Sequence, residues 1–141
     1  MGRILFGFAL ALFSSGLFAQ SSDETSIRKL LNDQVSAWNR GSIEDFMKGY
    51  WPNDSLHFVG HGGMTSGYSN TLKNYKKTYS DSAKMGKLFF TLLQLSRLSA
   101  EYYFVIGKWF LKRTDGDIGG YYTLLFRKIN GHWLIITDHT S

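Results

Sequence analysis

An α+β domain, with three N-terminal helices packed on a strongly curved, mostly antiparallel sheet, is the fold class this sequence predicts. Three observations lead to it. Residues 86–141 hold four consecutive runs, GKLFFTLLQLSRL, EYYFVIGKWFLKR, GGYYTLLFRKI and HWLIITDHTS, whose aromatic and β-branched content is that of long strands. The breaks between them at Ser99-Ala100, 114–117 and Asn130-Gly131 are short, and an Asn-Gly pair suits the two positive-φ positions of a type I′ hairpin turn. Upstream, the apolar residues recur at three and four rather than at two, which supplies helices to cover the sheet's apolar face.

The chain opens on MGRILFGFALALFSSGLFAQ. A basic Arg3, an apolar run from Ile4 to Phe13 and a small-residue approach to Ala19 read as a secretory signal peptide, residues 1–19, cleaved after Ala19. The apolar run is short of the roughly 20 residues that span a bilayer. The expectation is a secreted or periplasmic protein, with no membrane attachment after cleavage and with residues 20–141 as one domain. Ser21 to Asp23 offer caps for a first helix carrying Ile27, Leu30, Leu31, Val35 and Trp38 on one face, ended by Gly41. Ser42 caps a second helix with Glu44 and Asp45 in its first turn and Ile43, Phe46, Met47 and Tyr50 on its buried face. Asp54 to Gly60 alternates as a short strand, and His61-Gly62-Gly63 turns into a second one around Met64 to Tyr68. Ser69 or Asn70 caps a third helix with Leu72, Tyr75 and Tyr79 on one face, and Ser80 to Lys87 is a polar link into the meander.

At 141 residues the chain can bury a core without staples. Cysteine is absent, which excludes thiolate nucleophiles, Cys-ligated metals and disulfides. The formal net charge of +5, one unit less without Arg3, is spread over helix, linker and strands. Nucleic-acid binding would concentrate such charge along one groove or helix face, so no nucleic-acid partner is expected.

The passages WNRGSIEDFMKGYWPNDS, GYSNTLKNYKKTY and GGYYTLLFRKINGHWLIITDHTS resemble the nuclear transport factor two-like superfamily, in its SnoaL-like secreted branch of unknown function. The resemblance covers Asp23 to Ser141 and implies a cone-shaped α+β barrel with a ligand cavity at its open end. Steroid isomerases of that superfamily use a carboxylate base on the first strand, with a tyrosine from the first helix and a protonated acid as oxyanion donors. Matching their Asn-x-Gly-Asp-Leu passage to Asn39 through Ile43 places the tyrosine at Gln34 and the base at Val59, and 119–126 contains no Asp or Glu. That mechanism is not implied here.

The histidines His57, His61, His132 and His139 show no HxH or HExxH spacing, so neither a metal nor another cofactor is expected. Asp138 and His139 are adjacent on the last strand, where neighbours point to opposite faces; one of the two lines the cavity, and the register decides which. Arg97 or Lys108, if turned inward, would bind an anion; burial statistics favour both facing out. Aromatics including Tyr50, Trp51, Phe58, Tyr75 and Tyr79 are numerous enough to wall a cavity. The candidate ligand-binding residues are Trp38, His57, Tyr68, Trp109, Tyr122, Asp138 and His139. The expected function is binding of a small, largely apolar molecule. An isomerase- or dehydratase-like enzyme using a cavity histidine is one alternative, and a pure interaction module with a filled cone is another. Strands apolar on both faces also predict a homodimer formed through the convex side of the sheet.

Overall fold

The structure, a computed structural model, describes residues 14–141, with side chains from Ser22 onward. Most of the segment read as a signal peptide lies outside the described residues. Among those described, no helix is long and apolar enough to cross a membrane.

Helix α1 spans Ser14–Asn39, so Ser21 to Asp23 do not cap it. The reason is tertiary: the Asp23 carboxylate accepts from Lys128 Nζ at 2.8 Å and Trp133 Nε1 at 3.0 Å, and is not free to hold backbone N–H groups. The buried stripe of α1 includes Ile27, Leu31, Gln34, Ala37 and Trp38. Its end is as the sequence predicts. Gly41 has φ +85, its N–H donates to the Trp38 carbonyl at 2.8 Å and the Ser42 N–H to the Ala37 carbonyl at 3.0 Å, which together form a Schellman motif. Ser42 then caps α2, Ile43–Met47, through its hydroxyl.

Tyr50 lies beyond α2 rather than on it. The segment 49–51 instead docks against the last strand: Trp51 N–H donates to the Ile135 carbonyl and Ile135 N–H to the Gly49 carbonyl, both at 2.9 Å. Strands β1 (His57–Gly60) and β2 (Gly63–Ser66) follow, then α3, Tyr68–Thr78. Helix α3 starts from Gly67, at φ +91, and not from Ser69 or Asn70, because Asn70 Nδ2 donates to the Ser66 carbonyl at 2.9 Å. The expected linker contains a short helix α4, Ser82–Met85, capped by Asp81 and anchored by buried Met85.

The long strands are β3 (Lys87–Arg97), β4 (Tyr102–Lys112), β5 (Ile118–Ile129) and β6 (His132–Thr140). Asn130 and Gly131 both take positive φ in the last hairpin. One six-stranded sheet runs β2-β1-β6-β5-β4-β3, antiparallel throughout except for the β1–β6 pair. It curves but does not close. Two bulges, between Leu92 and Gln94 and opposite Leu125-Phe126, bend it over the helices. The concave side carries Leu88, Tyr103, Val105, Leu111, Leu124, Phe126 and Ile135, packed against α1 and α2 as one buried cluster.

The bulge opposite Leu125-Phe126 also resets the facing of β6. Trp133 pairs with Lys128 and Ile135 with Phe126, but Thr137 pairs with Leu125, so Ile136 is the extra residue. Beyond it, the concave side takes Asp138, opposite Leu124, and Thr140, opposite Tyr122. Unbroken alternation from Trp133 and Ile135 would have turned Thr137 and His139 inward.

Candidate functional site

Between the concave face and the helices lies a cavity of about 650 Å³. Its helical wall comes from the C-terminal half of α1 (Trp38), α2 (Phe46) and α3 (Tyr75, with Tyr79 just beyond it); its sheet wall includes Phe58, Phe90, Trp109 and Leu124. The rings interlock: Trp38 stands edge-on to Phe46 at 5.2 Å and to Tyr79 at 4.7 Å between centroids, and Phe58 edge-on to Tyr75 at 5.6 Å. Edge-to-face pairs at these separations fix ring orientation as well as burying area.

Asp138 is set into this apolar wall at 3% exposure. Its Oδ2 accepts from Tyr50 Oη at 2.7 Å and its Oδ1 from Thr140 Oγ1 at 2.6 Å. The Tyr50 and Tyr75 hydroxyls lie 3.5 Å apart. Burial pushes the Asp138 carboxyl up to about 6, against the hydrogen bonds of Thr140 and Tyr50 that favour its charged form. The same burial, and then the Asp138 charge, raises the Tyr50 and Tyr75 phenols well above their ordinary value. A carboxyl tuned close to neutrality can take or give a proton there, and it keeps lone pairs beyond the two already used.

Most other polar groups of the wall are committed to the protein. Trp38 Nε1 donates to the Met85 carbonyl at 3.0 Å, Gln34 Nε2 to the Phe46 carbonyl at 3.1 Å, Thr71 Oγ1 to the Gly67 carbonyl at 2.9 Å, and Trp109 Nε1 to the Ser141 carbonyl at 3.1 Å. The Tyr122 hydroxyl is buried without a partner, and burial, then the Asp138 charge, pushes its phenol up to about 12. Tyr122 lies across Gly107 of β4, where any Cβ would overlap its ring.

Of the seven residues singled out from sequence, Trp38, Trp109, Tyr122 and Asp138 line the cavity. His57, Tyr68 and His139 do not. His57 pairs with Thr137 and Val59 with His139, while Phe58 pairs with Asp138, so alternation turns His57 and His139 to the other side of the sheet. The His57 ring meets Ser66 Oγ at 3.2 Å, and His139 is exposed. Tyr68, half-buried in the first turn of α3, packs against the core cluster outside the cavity. Arg97, expected to face out, is exposed but sits on the concave side opposite Tyr103, where its charge acts on Asp23 and not in the cavity; Lys108 lies over the outer Tyr121 ring at 5.2 Å. The residues sequence reasoning missed are Thr140 and the role of Tyr50. The Asp-x-Thr spacing on one strand signals the first; no local pattern links Tyr50 to a carboxylate 88 positions away. Among the described residues, no three His, Asp or Glu side chains converge.

No protein-family model matches the chain, and no curated protein matches its sequence. Solved structures do. The chain is similar to an NTF2-like protein of unknown function from Shewanella oneidensis, at 39% identity over 84% of this chain and 98% of that one, with a TM-score of 0.81. An NTF2-like protein of unknown function from Pseudomonas putida is 18% identical over 86% and 87% of the two chains, at a TM-score of 0.71. A hexachlorocyclohexane dehydrochlorinase from Novosphingobium barchaimii, 17% identical over 88% of each chain, superposes at 0.72. The last two likenesses are of fold alone.

Proposed function

The chain belongs to the NTF2-like proteins, and from that premise we propose that it binds a small, largely apolar molecule in the cavity between helices and sheet. One observation carries the reading: an aromatic-walled space of about 650 Å³ with a single buried carboxylate–phenol pair, Asp138 and Tyr50, in its wall. That is the usual make-up of a small-molecule site, apolar over most of its surface with few oriented polar groups. Thermal-shift and calorimetric screening of apolar compounds of this size, sterols and polyketide-like molecules among them, is the test. Saturable binding that the cavity-filling variant Leu124→Trp abolishes is the expected result; the absence of binding across the panel overturns the reading.

The position of Asp138 favours a second reading, an acid/base enzyme in which this carboxyl, rather than a histidine, moves the proton. Of the four histidines only His61 is among the cavity residues, at its exposed rim. Turnover of a carbon acid or halogenated compound, lost in Asp138→Asn with the fold intact, would establish it.

The leader-like residues 1–19 support export and a secreted or periplasmic location. The outer face of the sheet supports a homodimer: Phe104, Ile106, Phe110, Leu125 and Leu134 share it, interrupted by Lys108, Thr123 and Arg127, and Phe89, Phe110 and Tyr121 are 53%, 43% and 53% exposed. An isologous contact would cover this face with one self-complementary surface. Light scattering of the processed chain at micromolar concentration should return the dimer mass, and Phe110→Lys the monomer mass; a monomeric wild type removes the proposal.

A further inference from the structure

Given that the cavity binds a small molecule, as proposed above, its charge pattern narrows the chemical class of that molecule. Asp138 is the sole side-chain carboxylate among the described cavity residues, and the sole lysine or arginine there is Lys77, exposed at the rim. The two protein donors to Asp138, Tyr50 and Thr140, are neutral hydroxyls, so no cationic side chain hydrogen-bonds to its charge. The surroundings of Asp138 are aromatic: Trp38, Phe58, Phe90, Tyr75, Tyr79 and Trp109 line the same space.

We propose that the ligand is an apolar organic cation, an amine or alkylammonium compound, held by Asp138 as counter-ion and by the surrounding aromatic rings. An ammonium group supplies what the site lacks. Its charge offsets the buried carboxylate, an N–H reaches the lone pairs left free by Tyr50 and Thr140, and ring faces attract a cation whose hydration the cavity has stripped. A carboxylic acid of the same skeleton would place a second negative charge beside Asp138 with only a rim lysine to answer it. A neutral alcohol would bind through the apolar term and one hydrogen bond.

The test compares 4-phenylbutylamine, 4-phenylbutanol and 4-phenylbutyric acid by titration calorimetry on the full chain at pH 7.5. The expected order is amine, alcohol, acid, with the amine about tenfold tighter than the alcohol, and with that preference erased in Asp138→Asn. A measurement on the wild type alone guards against a variant that fails to fold. The permanently charged 4-phenylbutyl-trimethylammonium should bind more weakly at pH 5 than at pH 7.5, because Asp138 is ionised at the upper pH and takes up its proton as the pH falls through this range. The other titratable side chains around the cavity are the phenols of Tyr50, Tyr75, Tyr79 and Tyr122 and the outward His139, with His61 and Lys77 at the rim. A histidine gaining charge at low pH would weaken the cation in both proteins, whereas the Asp138 effect disappears in Asp138→Asn. Equal binding of amine and alcohol, or preference for the acid, overturns the cation assignment and leaves the binding reading standing. Failure of all four compounds to bind removes both.

Discussion

Asp23 and Asp138 both expose little surface, 8% and 3%, but Asp138 lies deep in the fold and Asp23 close to its surface, and their surroundings drive them in opposite directions. Asp23, on α1 near the β5–β6 hairpin, also feels burial as its largest single influence. Hydrogen bonds from Lys128 and Trp133, joined by the Lys128 and Arg97 charges, outweigh it and hold the carboxyl below its ordinary value. Asp138, towards the other end of β6, receives two hydroxyl hydrogen bonds and none from a cationic side chain, with the outward His139 acting only through space, and rises to about 6. Low surface exposure alone therefore does not decide what a carboxylate does; depth and partners do. A hydrogen-bonded cation makes Asp23 a strut between α1 and the sheet, and the lack of one leaves burial to dominate at Asp138.

The contrast breaks most readily through pH. A carboxyl raised from about 3.8 in the unfolded chain to about 6 in the fold binds more protons folded than unfolded between those values, so its ionisation costs stability as pH rises from 4 to 6. Two pKa units correspond to about 3 kcal/mol. Asp138→Asn, whose amide can still accept from Tyr50 and donate to Thr140, should therefore lack that slope. Urea denaturation of both proteins at pH 4, 5, 6 and 7 measures it, and parallel profiles would show that Asp138 is not raised.

Asp23→Ala should act with the opposite sign. Removing the carboxylate strands the buried Trp133 indole N–H and frees Lys128, a loss of about 1–3 kcal/mol at pH 7. Because the folded Asp23 carboxyl titrates below its unfolded value, its contribution is present above pH 4 and fades as pH falls through the folded value. The difference between wild type and variant should thus shrink at pH 3, and a cost unchanged at that pH would mean that charge is not the source.

Tyr50→Phe sharpens the comparison at smaller amplitude. It removes one donor to the ionised Asp138 and should cost about 1 kcal/mol. The Asp138 carboxyl should then titrate higher still, as followed by NMR of its side-chain carbon. A downward shift would mean that the Tyr50 hydrogen bond does not favour the charged form.

Much of the architecture was legible in the residues. The strand runs, the Asn-Gly turn, the Gly41 stop and the Ser42 cap are local signals, and each element they predict is present. The start of α1 was misread because Asp23 has the chemistry of a cap, and nothing local shows that Lys128 and Trp133 claim it. The site was half legible. Aromatic abundance predicted a walled cavity, and Trp38, Trp109, Tyr122 and Asp138 do line it; His57, Tyr68 and His139 do not.

What the sequence determined by itself is the pair Asp138-His139 on a strand, with one member facing in and the other out. Tertiary structure chose between them. The extra residue Ile136, next to the Ile135 on which residues 49–51 dock, resets the alternation of β6, turning the carboxylate towards the cavity and the imidazole away from it. A one-residue bulge reverses the facing of every residue beyond it, and the inward carboxylate then meets a partner distant in sequence, Tyr50, 88 positions from Asp138.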